Sequence, residues 1–413
     1  MARSPETVEL VAGAGVTAAM TIGYIVLVGR MVGPAEYSDF SAALSAIYFV
    51  GLTVSPLTPA IARLTAAYRA RGAADAVRGL RALSMRRISM AAGAVALAGA
   101  LASFALADTL QFRTAMPLVL AFVSVFFYAI VSVDRGVVQG LLLFRAYNAN
   151  VLVEAAVRLL VAVVLVSLAP TASAALIGYA LALVCAELMM AQRLRREVSG
   201  EGTARVDWAE AQRVVVPLVL LMFAIAAFQN SDMIAVKRWF APADAGGYGA
   251  ATAIARGIGV VFVPFYVVAG PLLTSLHEAG KPVFLPTLRL AGSFLLAVSL
   301  PLALIAAAPR FLLSVLYGTD FAGAAPVLAP LAGVSVITYL GLMLGQALIT
   351  LHDSRFLAGY MVFAALQVAG LALFHETYGE VLVVLYVTQT GALLSVLLFF
   401  VHAWRVRRRA SPC

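Results

Sequence analysis

The chain has 413 residues, of which 63% are hydrophobic and 12% charged, with a formal net charge of +9. Soluble domains are about 45–50% apolar and about 25% charged, so this composition excludes a soluble globular protein. Two cysteines (Cys185 and Cys413) and four histidines without ligand spacing give neither a disulfide framework nor a metal centre.

Apolar runs near 20 residues recur along the whole chain, the length that crosses a hydrocarbon core of ~30 Å as a helix. They are continuous rather than alternating, which argues against a barrel. The first six spans are predicted near 8–32, 38–62, 88–107, 116–138, 148–168 and 172–192. The second six follow near 214–236, 246–272, 287–308, 325–350, 356–374 and 381–403. The first run is too long for a signal-peptide core, so it reads as a span. The expected fold is all-α, a polytopic membrane protein of about 12 helices.

With the N-terminus in the cytoplasm, 22 basic residues fall on the inner face, from Arg3 and the Arg63–Arg87 loop to the Arg405–Arg409 tail. Arg30, Arg113, Lys237, Arg238 and Arg310 fall on the outer face, and Arg158 and Arg256 fall inside spans. This sorting follows the positive-inside bias and places both termini in the cytoplasm. It also accounts for the positive charge without a nucleic acid. The polar stretch 193–213 reads as a cytoplasmic linker between an N-terminal bundle (1–192) and a C-terminal bundle (214–404), with a basic tail over 405–413.

The two halves repeat. An offset of 208 carries Arg30 onto Arg238, Pro34 onto Pro242, Glu36 onto Asp244, Phe40 onto Tyr248 and Pro56 onto Pro264. An offset of 209 carries Phe112 onto Phe321, Pro117 onto Pro326 and Gly136 onto Gly345. Six spans per copy leave both copies in one orientation, the arrangement of parallel-repeat transporters with a substrate site between the halves near the midplane. No loop is long enough for a catalytic domain, so an enzyme is not expected, and no cofactor.

Interrupted helices at corresponding positions point to gating. Pro56 and Pro59 interrupt span 2, and Pro264 and Pro271 interrupt span 8. A charge at mid-membrane costs ~2.5–3.5 kcal/mol on insertion scales, so each needs a reason. Arg256 has no acid three or four residues away and needs a wet cavity or a partner from another helix, for which Asp232 is the candidate. Glu154 and Arg158 have the i,i+4 spacing of a pair on one helix face, which leaves a structural pair and a cavity role both open. Gln229, Asn230 and Ser231 form the most polar patch of span 7, suited to lining a cavity or bonding across to another helix. Asp134 and Arg135 read as a pair at a span boundary, and Glu187 as a carboxylate snorkelling near the inner end of span 6.

Val28-Gly-Arg-Met-Val-Gly-Pro-Ala-Glu-Tyr-Ser-Asp-Phe40, the basic Pro59–Gly72 segment, and Leu316-Tyr-Gly-Thr-Asp-Phe321 followed by Ala324-Ala-Pro-Val-Leu328 carry a family likeness. They resemble the polysaccharide transporter, or O-antigen flippase, branch of the multidrug/oligosaccharidyl-lipid/polysaccharide (MOP) exporter superfamily. The resemblance implies two six-helix bundles around a central V-shaped cavity. It implies a polyprenyl-diphosphate-linked oligosaccharide as substrate, with Arg256 and Arg158 as the cations that would meet the diphosphate. Membrane lipid, and a glycan polymerase or glycosyltransferases, would be its partners, and the bacterial inner membrane its location. The chain departs from the family's frequent 14 spans. Alternatives are a cation-coupled drug exporter of the same superfamily and a non-transporting scaffold of a glycan assembly complex.

Overall fold

In the computed structural model, residues 5–197, 208–351 and 353–410 are described, with side chains over 13–197, 216–351 and 353–405. Residues 198–207 of the predicted linker, residues 411–413 of the tail, and Arg3 and His352 lie outside the described residues. Among the described residues there is helix and no strand. Among the described residues eleven segments are long and apolar enough to span a membrane, and the protein is a polytopic membrane protein.

The chain forms two compact units, residues 1–222 and 223–413. The division falls within one helix, α7 (Trp208–Trp239).

The first unit contains α1 (Pro5–Val54), α2 (Leu57–Ala70), α3 (Ala74–Thr109), α4 (Met116–Gly140), α5 (Phe144–Leu168) and α6 (Ala172–Glu197). Spans 1 and 2 were expected to be separate. They are two helices that meet at a kink at Gly33 with no loop between them, so both fall within the one continuous stretch Gly13–Ala70 among the eleven segments. The chain turns inside α1 at Gly33 alone, where φ is +75° and ψ 170°. An L side chain is strained there, and the next residue, Pro34, has the fixed φ that suits the first position of a helix.

Helix α4 is the hub of this unit and packs against α1, α2, α3, α5 and α6. Its small residues let α2 come close: a Cβ on Gly136 would lie 2.8 Å from the Thr58 carbonyl oxygen and from Ile61 Cβ. In lipid, helices gain little from burying apolar surface against each other, so close packing and interhelical hydrogen bonds carry the association. The outward face of α3 is apolar and exposed, as at Leu97, Leu101 and Phe104, which suits contact with acyl chains.

The second unit contains the end of α7, then α8 (Pro242–Arg256), α9 (Gly259–Glu278), α10 (Phe284–Ala307), the short α11 (Pro309–Leu316), a 3-10 turn (Thr319–Ala324), α12 (Ala325–Thr350), α13 (Phe356–Leu373) and α14 (Tyr378–Ala410). Here α12 is the hub, touching α8, α9, α10, α11 and α14. The offset of 209 that relates the sequences carries Met116, the first residue of α4, onto Ala325, the first residue of α12. Each hub is therefore the fourth span of its half.

The expected hinges fall unevenly. Pro56 stands in the break between α1 and α2, and Pro59 lies in the first turn of α2. Pro264 and Pro271 lie inside α9, and the interruption of this half falls earlier, at Gly257 and Ile258, directly after Arg256. Neighbouring groups satisfy the backbone freed there: the Gly257 amide donates to Ala253 and Ile254, and the Tyr339 hydroxyl donates to the Arg256 carbonyl at 3.2 Å.

Candidate functional site

The C-terminal unit holds a small polar pocket, partly open to the outside. Helices α7, α8, α12 and α14 wall it, contributing Gln229, Asp232, Thr252, Arg256, Thr338 and Gln389. Arg256 ends α8, so its side chain leaves the last turn towards α7. Its Nη2 donates to Asp232 Oδ1 at 2.7 Å, and the Tyr248 hydroxyl donates to Asp232 Oδ2 at 2.9 Å. Asp232 is thus held on both oxygens and is buried, while the Arg256 side chain keeps 22% of its surface exposed. The remaining guanidinium nitrogens have no bond among the described residues, so the cation is half committed.

Behind the pocket an amide network ties α7 to α13 and α14. Gln367 Nε2 donates to Ser231 Oγ at 2.9 Å and to the Phe228 carbonyl at 3.1 Å. Gln389 Nε2 donates to the same carbonyl and to Gln367 Oε1, each at 3.1 Å, and Thr338 donates to Gln389 Oε1. Asn230 is buried and donates along its own helix to Ala226 at 2.9 Å. Of the polar patch in span 7, Gln229 and Asp232 line the pocket and Ser231 anchors the network behind it.

The N-terminal unit holds the other candidates in a buried charged cluster. Glu154 accepts from Arg158 Nη1 on Oε1 at 3.3 Å and from Arg135 Nη2 on Oε2 at 2.6 Å. Arg135 also reaches Asn150 Oδ1 at 2.9 Å, and Arg158 Nη2 donates to Thr21 Oγ1 at 2.9 Å. The Arg158 guanidinium carbon lies 5.0 Å from the Tyr179 ring centre and 5.6 Å from that of Tyr24, within cation–π range. Arg81 reaches across from α3 and grips Asp134 through both oxygens, at 2.9 and 2.7 Å.

The family described as "Polysaccharide biosynthesis protein" matches residues 6–277. The chain belongs to this family. Its fold is that of the MOP superfamily of membrane transporters. A structure described as the inward-facing conformation of a multidrug resistance MATE family transporter of that superfamily aligns with a TM-score of 0.77 at 14% identity, over 95% of each chain. The lipid II flippase MurJ, in its inward closed conformation, aligns with a TM-score of 0.74 at 11% identity, over 96% of this chain and 87% of that one. A MOP superfamily transporter from Pyrococcus furiosus aligns with a TM-score of 0.60 at 14% identity, over 98% and 94%. None of the curated proteins compared matches the sequence.

In this member of the polysaccharide biosynthesis family the candidate cations divide between the units, Arg256 in the second and Arg158 in the first. One expectation needs correction. Asp134 and Arg135 do not pair with each other and do not sit at a wet boundary. They are consecutive on a helix, so they point in different directions, and both are buried, one bonded to α3 and the other to α5. Glu187, expected to snorkel, is half-buried, with its Oε2 buried and without a hydrogen-bond partner. Arg81, Asn150, Tyr248, Gln367 and Gln389 were not singled out as site residues. The amides were findable as uncharged polar groups within apolar runs; the tyrosine carries no comparable mark.

Proposed function

We propose that this protein is a flippase that moves a polyprenyl-diphosphate-linked oligosaccharide, or a related polysaccharide precursor, from the inner to the outer leaflet of the bacterial inner membrane by alternating access. The single observation that carries the reading is Arg256, a cation in a polar pocket of a membrane-spanning unit with donors left over after its bond to Asp232. An anionic diphosphate is a ligand that would take those donors as charge-assisted hydrogen bonds. The sugar head cannot cross hydrocarbon unaided, and the polyprenol tail can stay in the bilayer. Family membership and the transporter fold support the same reading. Both termini are cytoplasmic on this proposal, by the sorting of arginine among the loops. A glycan polymerase or glycosyltransferases would receive or supply the substrate.

A cation-coupled drug exporter would need an acidic group free to meet a cation. Asp232 is already held by Arg256 and Tyr248, which disfavours that alternative. The test is transport of a fluorescent polyprenyl-diphosphate oligosaccharide in proteoliposomes. Wild-type protein should expose the label to the opposite side, and Arg256→Ala should insert normally and fail to do so. Equal transport by both proteins would refute the role of Arg256, and no transport by the wild type would favour a scaffold.

A further inference from the structure

Three carboxylates are set among the helices of the N-terminal unit beside Arg81, Arg135 and Arg158. Two are fully engaged: Asp134 by both nitrogens of Arg81, and Glu154 on one oxygen by Arg135 and on the other by Arg158. Glu187 of α6 differs from both. Its Oε2 is buried without a partner, and among the described residues Glu187 makes no hydrogen bond or ion pair. It nevertheless faces charges of both signs. Arg81 of α3 and Asp134 and Arg135 of α4 lie within its electrostatic reach. From α5, Asn150 donates to the carbonyl of Ala186, the residue before it, while Glu154 and Arg158 of the same helix are bonded deeper in the bundle. From α1, Thr21 and Tyr24 face Arg158 rather than Glu187.

We propose that Glu187 is a proton-binding site of the N-terminal unit, and that its proton controls the link between α3 and α4 made by Arg81 and Asp134. An ionised carboxylate with a buried oxygen and no donor is costly. One ligand that removes the cost is a proton; the other remedy is to draw a cation away from its present partner. One such cation is Arg81, whose Nε and Nη2 are on Asp134 and whose side chain is 23% exposed. With Glu187 protonated, Arg81 stays on Asp134 and ties α3 to α4. With Glu187 ionised, two carboxylates compete for Arg81, and α6 is drawn into the link. Glu154 and Asp232, by contrast, are already neutralised by arginine, so a proton there would have to break an existing ion pair.

The consequence for a transport cycle rests on the function proposed above; the proton site itself does not. The full chain in lipid vesicles, without substrate, is titrated while infrared difference spectra follow protonated carboxyl groups. Wild-type protein should show a titrating carboxyl band that Glu187→Gln loses and Glu187→Asp keeps at a shifted midpoint, all three with the same size-exclusion profile. A band left intact in Glu187→Gln, or no titrating band in the wild type, would overturn the proposal. With the labelled oligosaccharide present, Glu187→Gln should also lose the response of transport to an imposed pH gradient. Spectra as expected with no transport by any variant would uphold the proton site and defeat the flippase reading.

Discussion

Tyr24 and Asp232 occupy equivalent places in the two repeats, 208 residues apart, and each is met by an arginine from a different helix of its own half. Arg158 of α5 lies over the Tyr24 ring at 5.6 Å, and Arg256 of α8 binds Asp232 at 2.7 Å. The same offset puts Phe40 where Tyr248 stands, so the first half lacks the hydroxyl that secures the aspartate in the second. The halves share a scaffold and differ in which helix supplies the cation.

Tyr248→Phe tests how much that hydroxyl contributes. A hydrogen bond to a charged group is worth about 1.5–3 kcal/mol. Thermal unfolding of the purified protein should shift down by a corresponding amount. Insertion should be unaffected, because the tyrosine is one of two groups on Asp232. An unchanged melting curve would mean that water replaces the phenol.

Glu154→Gln leaves Arg135 and Arg158 without their shared counter-charge inside the bundle. Breaking a buried pair on one side typically costs about 3–5 kcal/mol. The variant should accumulate poorly, and the double change Glu154→Gln with Arg158→Gln should recover part of the loss. A double-mutant cycle on folded yield and thermal stability reads the coupling; additive losses would argue that the pair is not coupled.

Gly136→Ala places a methyl against the Thr58 carbonyl and Ile61, 2.8 Å from each. Helix α2 must move away, and overpacking of this kind costs roughly 1–3 kcal/mol. Cysteine crosslinking between α2 and α4 should become slower in the variant. An unaltered rate would show that the two helices are less closely apposed.

The turn between α12 and α13 predicts a pH dependence. Arg355 donates to both oxygens of Asp353, at 2.9 and 2.7 Å, and these bonds hold the Asp353 carboxyl below its usual range. A lowered folded value means the contribution is present above the unfolded value of about 3.9 and is lost only as pH falls through the lowered one. Amide exchange in the turn, corrected for intrinsic rates, should therefore be equally protected at about pH 7 and about pH 5. Asp353→Asn should raise exchange at both.

The sequence by itself determined that the chain spans a membrane and where most of its helices lie. Each follows from one rule: hydrocarbon admits only apolar, self-bonded backbone, so span lengths and the few buried charges are written locally. Arg256, Arg158 and Glu154 stood out for that reason. The partners did not. That Arg135 turns to Glu154 while Asp134 turns to Arg81, that Gly257 rather than Pro264 breaks the helix, and that Glu187 alone of these acids lacks a bond were decided by the tertiary structure. Such pairings join helices far apart in the chain, and the direction in which a side chain leaves its helix selects among neighbours that only packing brings within reach.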